Sequence, residues 1–170
     1  MITRRQLAAA LVLGPVVPAR AAASAHALAP SPLSSLQLTG LDGRRYAFAG
    51  GGMRGRVVNL WARWCAPCRR ELPSLQRLAA RLDGQHMELL TIAFEDDLFA
   101  LREYLRDIGF TRPVLPAAPE TLPPALRPAS LPLTLALAPD GRVLARVAGA
   151  REWDAPGVAD ALLRPLWRDV

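Results

Sequence analysis

The chain has 170 residues, 51% hydrophobic and 21% charged, enough for one packed core and not the composition of a wholly disordered or collagen-like chain. Basic residues outnumber acidic ones 21 to 15, net +6, and all 21 are arginine, so no lysine amine exists for Schiff-base chemistry. Two cysteines exclude a disulfide-dense miniprotein and a four-cysteine zinc site, and no apolar run of about 18 residues points to a multi-span membrane protein.

Residues 1–27 have the layout of an export signal: Arg4 and Arg5, an apolar stretch from Leu7 to Val17, then a small-residue region. The run from Thr3 to Leu7 resembles a twin-arginine signal. Ala25-His26-Ala27 offers a small-x-small cleavage site, and without cleavage the segment is a membrane anchor. The expected location is therefore the periplasm. Loss of the segment leaves 18 basic residues against 15 acidic, with no basic cluster interleaved with aromatics, so nucleic acid is not an expected partner. Residues 28–35, with Pro30 and Pro32, read as a disordered lead-in to a single domain over 36–170.

That domain opens with two short alternating runs, 36–38 and 45–48, around Asp42-Gly43, which favours a hairpin turn. Gly50-Gly51-Gly52 breaks the chain, and residues 56–61 form a compact β-type run. A helix follows over about 65–82, with Leu72, Leu75, Leu78, Ala79 and Leu82 at helical spacing and Asp83-Gly84 as its stop. Residues 87–93 make a buried strand; Asp96 or Asp97 caps a helix that runs to Ile108 and ends at Gly109. Half of the 16 prolines lie between Pro113 and Pro139, so 111–132 is expected to be poor in regular structure. Strands over 133–138 and 142–148 flank the Pro139-Asp140-Gly141 turn as an antiparallel hairpin. A helix over 156–167 closes the chain, with Pro156 near its start and Pro165 ending or kinking it. The order β-α-β-α-β-β-α gives an α/β fold with a mixed central sheet: a right-handed parallel crossover plus an antiparallel C-terminal hairpin, flanked by helices.

Cys65-Ala66-Pro67-Cys68 follows a strand and opens a helix. A thiol there meets the positive end of the helix dipole and unpaired N–H groups, which favour its thiolate; Arg63, Arg69 and Arg70 add charge. The i to i+3 spacing brings Cys68 one turn behind Cys65, close enough to attack a mixed disulfide on it. Cys65 is thus expected as the exposed nucleophile and Cys68 as the buried resolving thiol. A structural disulfide and a metal half-site shared between two chains remain open on the residues alone. His86 reads as a solvated turn residue, so no metal ligand set is assigned.

The segment Asn59-Leu60-Trp61-Ala62-Arg63-Trp64-Cys65-Ala66-Pro67-Cys68 resembles the active-site segment of the thioredoxin superfamily. Arg69-Arg70-Glu71-Leu72-Pro73 narrows the resemblance to the exported TlpA/ResA/DsbE-like thiol–disulfide oxidoreductases, as do Leu131-Pro132, Pro139-Asp140-Gly141 and the loop from Gly149 to Asp154. The resemblance implies a thioredoxin-like fold and a protein-disulfide reductase that works through Cys65 and Cys68 without a cofactor beyond their redox-active disulfide. It implies that Trp64, Ala66, Pro67, Leu131 and a cis Pro132 bind substrate. The implied substrates are proteins with cysteine pairs, in cytochrome c maturation or at copper sites. The implied electron donor is a membrane protein of the DsbD/CcdA type, and the implied state is a monomer.

Two departures stand out. Asn59 occupies the place where cytoplasmic thioredoxins bury an acid, so it is no proton acceptor for Cys68. Glu71 is expected to make only a surface or cap contact, and Glu95, after the second strand of the crossover, is the candidate proton relay. The family's insert between that strand and the cis proline is expected to be reduced to coil with one helical turn. A copper chaperone wants a further His or Met ligand, and a thiol peroxidase a different cysteine pattern; both rank below the reductase.

Overall fold

The computed structural model describes residues 33–168; the expected signal over 1–27 lies outside them. Residues 33–35, within the stretch read as lead-in, form a turn in which Leu33 is fully buried. A two-stranded antiparallel hairpin follows, β1 (Gln37–Thr39) and β2 (Arg45–Ala47). Its turn is held by Asp42, whose carboxylate accepts from the Arg44 N–H and the Tyr46 hydroxyl. Burial and that acceptor push the Tyr46 phenol up to about 12.

Five further strands make one mixed sheet, in spatial order β5 (Val114–Pro116), β4 (Met87–Ala93), β3 (Gly55–Trp61), β6 (Leu133–Leu137) and β7 (Val143–Ala148). The centre is β3 (Gly55–Trp61), buried along its whole length because it has a neighbour on both sides and cover on both faces. It runs parallel to β4 (Met87–Ala93) across the crossover helix α1 (Ala66–Asp83), and antiparallel to β6 (Leu133–Leu137). β6 pairs antiparallel with β7 (Val143–Ala148). The parallel crossover and antiparallel C-terminal hairpin are those expected from the sequence. α1 buries Leu72, Leu75, Leu78, Ala79 and Leu82, the apolar stripe read from its spacing. α2 (Leu98–Asp107) buries Leu101 and Leu105, and Asp97 caps it by accepting the Ala100 N–H at 2.9 Å.

Two elements differ from expectation. Within the proline-rich stretch, β5 (Val114–Pro116) pairs parallel with β4, from Thr91 opposite Val114 to Ala93 opposite Pro116. Three residues ending in proline give no legible period; the strand exists because an edge position asks for bonds on one side only, where a missing N–H is tolerated. Two single 3-10 turns follow, Pro119–Thr121 and Pro124–Leu126. The closing helix α3 (Asp160–Arg168) starts four residues after Pro156, because Gly157 takes a φ of +78° that a right-handed helix cannot include. It passes through Pro165 rather than ending there. Among the described residues no helix is long and apolar enough to cross a membrane.

Candidate active site

The carboxyl end of β3 turns directly into α1, and the cysteines sit on that turn. Cys65 is the N-cap residue; the Cys68 N–H donates to its Sγ at 3.3 Å, and Pro67 occupies the first turn, where no N–H is needed. Cys65 and Cys68 form a disulfide with Cα atoms 5.3 Å apart. Cys65 is 6% exposed and Cys68 0%, so the order of accessibility is as expected, although the Cys65 side chain is far less open than the word exposed suggests. Ala66 and Pro67 are exposed beside it.

Trp64 is largely uncovered at 71%, not packed against the fold. The Leu131–Pro132 peptide is cis, with Pro132 buried and Leu131 half-buried. Among the described residues the Leu131 backbone groups have no hydrogen-bond partner. The Pro132 carbonyl accepts from the Gly149 N–H at 2.9 Å, which joins the proline loop to the loop after β7.

Glu71 overturns its expected surface role. It is 1% exposed, the sole buried acid among the described residues. Its Oε1 accepts from Asn59 Nδ2 at 2.9 Å; its Oε2 accepts from Trp153 Nε1 at 2.9 Å and the Arg151 N–H at 3.1 Å. Asn59 Nδ2 also donates to Thr134 Oγ1 at 2.9 Å, since Asn59 and Thr134 face each other across the β3–β6 pair. Burial pushes the Glu71 carboxyl above the usual carboxylate range, against the three donors that favour its charge. Glu71 lies three residues beyond Cys68 on the buried side of α1, one turn along the same stripe. The signal was therefore in the sequence: positions 68, 71, 72, 75, 78, 79 and 82 share one helical face, and an acid on such a face must have partners.

The loop that supplies two of those donors, 149–154, is fastened to α1 at further points. Ser74 Oγ accepts from the Trp153 N–H at 3.1 Å, and Arg77 is paired with Asp154. Trp153 is fully buried. Glu95 lies elsewhere: its carboxylate accepts from Arg63 Nε at 2.6 Å. Arg63 is thereby drawn to Glu95, while Arg69 and Arg70 are exposed on the first turn of α1. Two surface hollows are present. The larger, about 680 Å³, lies between the hairpin and α2, lined by Leu41, Tyr46, Arg102 and Phe110 among others, and holds no residue of the cysteine turn. The second, about 610 Å³, is walled in part by Trp64, the residue that precedes Cys65.

A strand that turns through CxxC into a helix, a parallel crossover, and a cis proline just before the strand that pairs with it form one arrangement, and the family profile that fits this sequence, AhpC/TSA, matches residues 31–143. The chain belongs to the AhpC/TSA family. Within the curated relatives it is similar to the thiol-disulfide oxidoreductase ResA of Bacillus subtilis, 24% identical over 108 residues, 64% of this chain and 60% of that protein. The match thus spans about three fifths of the relative's length. Among solved structures it is similar to a thiol:disulfide interchange protein of the thioredoxin family from Chlorobium tepidum, with a TM-score of 0.60, 24% identity and coverage of 79% of this chain and 97% of that one. It is also similar to a secreted thiol-disulfide isomerase from Corynebacterium glutamicum, with a TM-score of 0.63, 23% identity and coverage of 77% and 83%. These likenesses establish a thioredoxin-like fold for this AhpC/TSA family chain.

Proposed function

We propose that the protein is an exported thiol–disulfide oxidoreductase that reduces disulfides of other proteins. The observation that carries the reading is the Cys65–Cys68 disulfide at the N-terminus of α1, directly after the central strand β3. In the reduced protein, the Cys65 thiolate attacks one sulfur of a substrate disulfide; a mixed disulfide forms and the substrate's other sulfur leaves as a thiolate. Cys68, losing its proton, then attacks Cys65 Sγ, releases the second substrate thiolate and closes the Cys65–Cys68 bond. Two electrons have passed to the substrate. We assign the Cys68 proton to Glu71, the buried acid one helical turn away, whose raised pKa suits a proton acceptor; Glu95 is already engaged by Arg63.

Trp64, Ala66 and Pro67 form the rim on which a substrate docks, and the Leu131 backbone pairs with its extended segment. Export is supported by the twin-arginine layout of residues 1–27 and by a secreted structural neighbour. The substrates we propose are proteins with an oxidised cysteine pair in cytochrome c maturation or at a copper site. A membrane donor of the DsbD/CcdA type restores the dithiol. No cofactor beyond the disulfide is required, and the enzyme acts as a monomer.

The reduction potential of the pair tests the direction. Equilibration with a glutathione or dithiothreitol buffer should give a value near that of thioredoxin, about −270 mV; a value near about −120 mV would make the protein an oxidant instead.

A further inference from the structure

We propose that the groove beginning at Trp64 selects substrate proteins that carry a lysine or arginine close to their disulfide cysteine. The proposal deepens the oxidoreductase reading and rests on it. The groove lies outside the carboxyl ends of β3, β4 and β5, where parallel strands and their connecting loops leave a crevice. Its walls are Trp64, Phe94 to Asp96, Leu98 and the stretch from Pro116 to Glu120. Much of the lining is apolar, including Trp64, Phe94, Leu98 and Pro116. Trp64 is 71% exposed and Leu98 42%, and Phe99, next to Leu98 in sequence, is 73% exposed.

The charge of the groove is one-sided. Its ionisable lining residues are Glu95, Asp96 and Glu120, and no basic residue lines it, although basic residues outnumber acidic ones 18 to 15 after residue 27. Glu95 is neutralised by Arg63. Asp96 and Glu120 are exposed, and neither carboxylate is ion-paired among the described residues; the Arg127 guanidinium donates to the Glu120 backbone carbonyl at 3.0 Å, so Asp96 is the carboxylate farther from a basic group. Two carboxylates without an ion-pair partner, among apolar walls, suit the long aliphatic stem and cationic head of lysine or arginine. Because Trp64 immediately precedes Cys65, a chain whose cysteine sulfur has reached Cys65 places its neighbouring side chains at the mouth of this groove.

The test uses the full chain, reduced, and two synthetic peptides containing the same oxidised Cys-x-x-Cys pair, one flanked by lysines and one by glutamates. Exchange is followed in single turnovers by mass spectrometry. At low salt the lysine peptide should react about tenfold faster than the glutamate peptide, and the ratio should shrink as salt is raised. The Asp96→Asn/Glu120→Gln double variant should bring the ratio to within about twofold, and Asp96→Lys should invert it. Because a ratio within one variant is read, a general loss of active protein cancels. An unchanged ratio in both variants, or a wild-type preference for the glutamate peptide, would overturn the proposal. Wild-type protein that exchanges with neither peptide would overturn the oxidoreductase reading beneath it.

Discussion

Glu71 carries three N–H donors around a buried carboxylate, from Asn59, Trp153 and Arg151. Glu71→Ala leaves all three without an acceptor and should cost about 2–4 kcal/mol in urea denaturation. Glu71→Gln should cost under about 1 kcal/mol, because Asn59 Oδ1 has no partner and a turned Asn59 amide can accept from the new side-chain amide. The pH dependence separates the two states of the acid. Its folded pKa is raised, so the folded chain binds more protons than the unfolded one above the ordinary carboxylate value. Stability from this group is full below that value and is lost as pH rises through the elevated folded pKa. The Glu71→Gln protein should show a flatter profile over that window. A wild-type profile that rises there, or a Glu71→Gln profile of unchanged slope, would contradict the assignment.

At the scale of elements, the loop 149–154 acts as a latch on α1, and its chief contact is Trp153. Trp153→Phe keeps an aromatic ring in the core but removes the Nε1 donor to Glu71. It should lower stability by about 1–2 kcal/mol, and it should push the Glu71 pKa further up, since a donor to the charged form is gone. Carboxyl titration by NMR reads the shift; a pKa that stays or falls would detach the latch from the acid. The major elements were legible in the sequence. The apolar stripe of α1, the Asp97 cap and the turns at Asp42-Gly43 and Pro139-Asp140-Gly141 each carry local chemistry strong enough to fix an element. β5 was not legible because Val114-Leu115-Pro116 becomes a strand only by docking on β4, a tertiary event with no local period. Glu71 was legible in position but read as a surface residue. Its partners Asn59 and Trp153 are 12 and 82 residues away, and no spacing rule announces them.

In the whole molecule, a central strand delivers a disulfide to the tip of a helix; the 149–154 latch fastens to that helix at Glu71, Ser74 and Arg77, and the Gly149 N–H bonds the Pro132 carbonyl of the cis proline loop. The fold thereby sets a buried acid one helical turn beyond Cys68 and places Trp64, the residue before Cys65, on the wall of an acidic groove. Exchange chemistry requires that asymmetry. The disulfide closes a loop too short to add more than about 2 kcal/mol by chain entropy, so stability alone is a weak reason for it beside so large a core. In the proposed mechanism Cys65 takes the substrate and Cys68 releases it. The most direct measurement is trapping: Cys68→Ser and Cys65→Ser proteins are each incubated with an oxidised Cys-x-x-Cys peptide, and covalent adducts are counted by mass spectrometry. Cys68→Ser should accumulate a mixed disulfide through Cys65, and Cys65→Ser should accumulate little; equal trapping by both, or trapping chiefly through Cys68, would contradict the account.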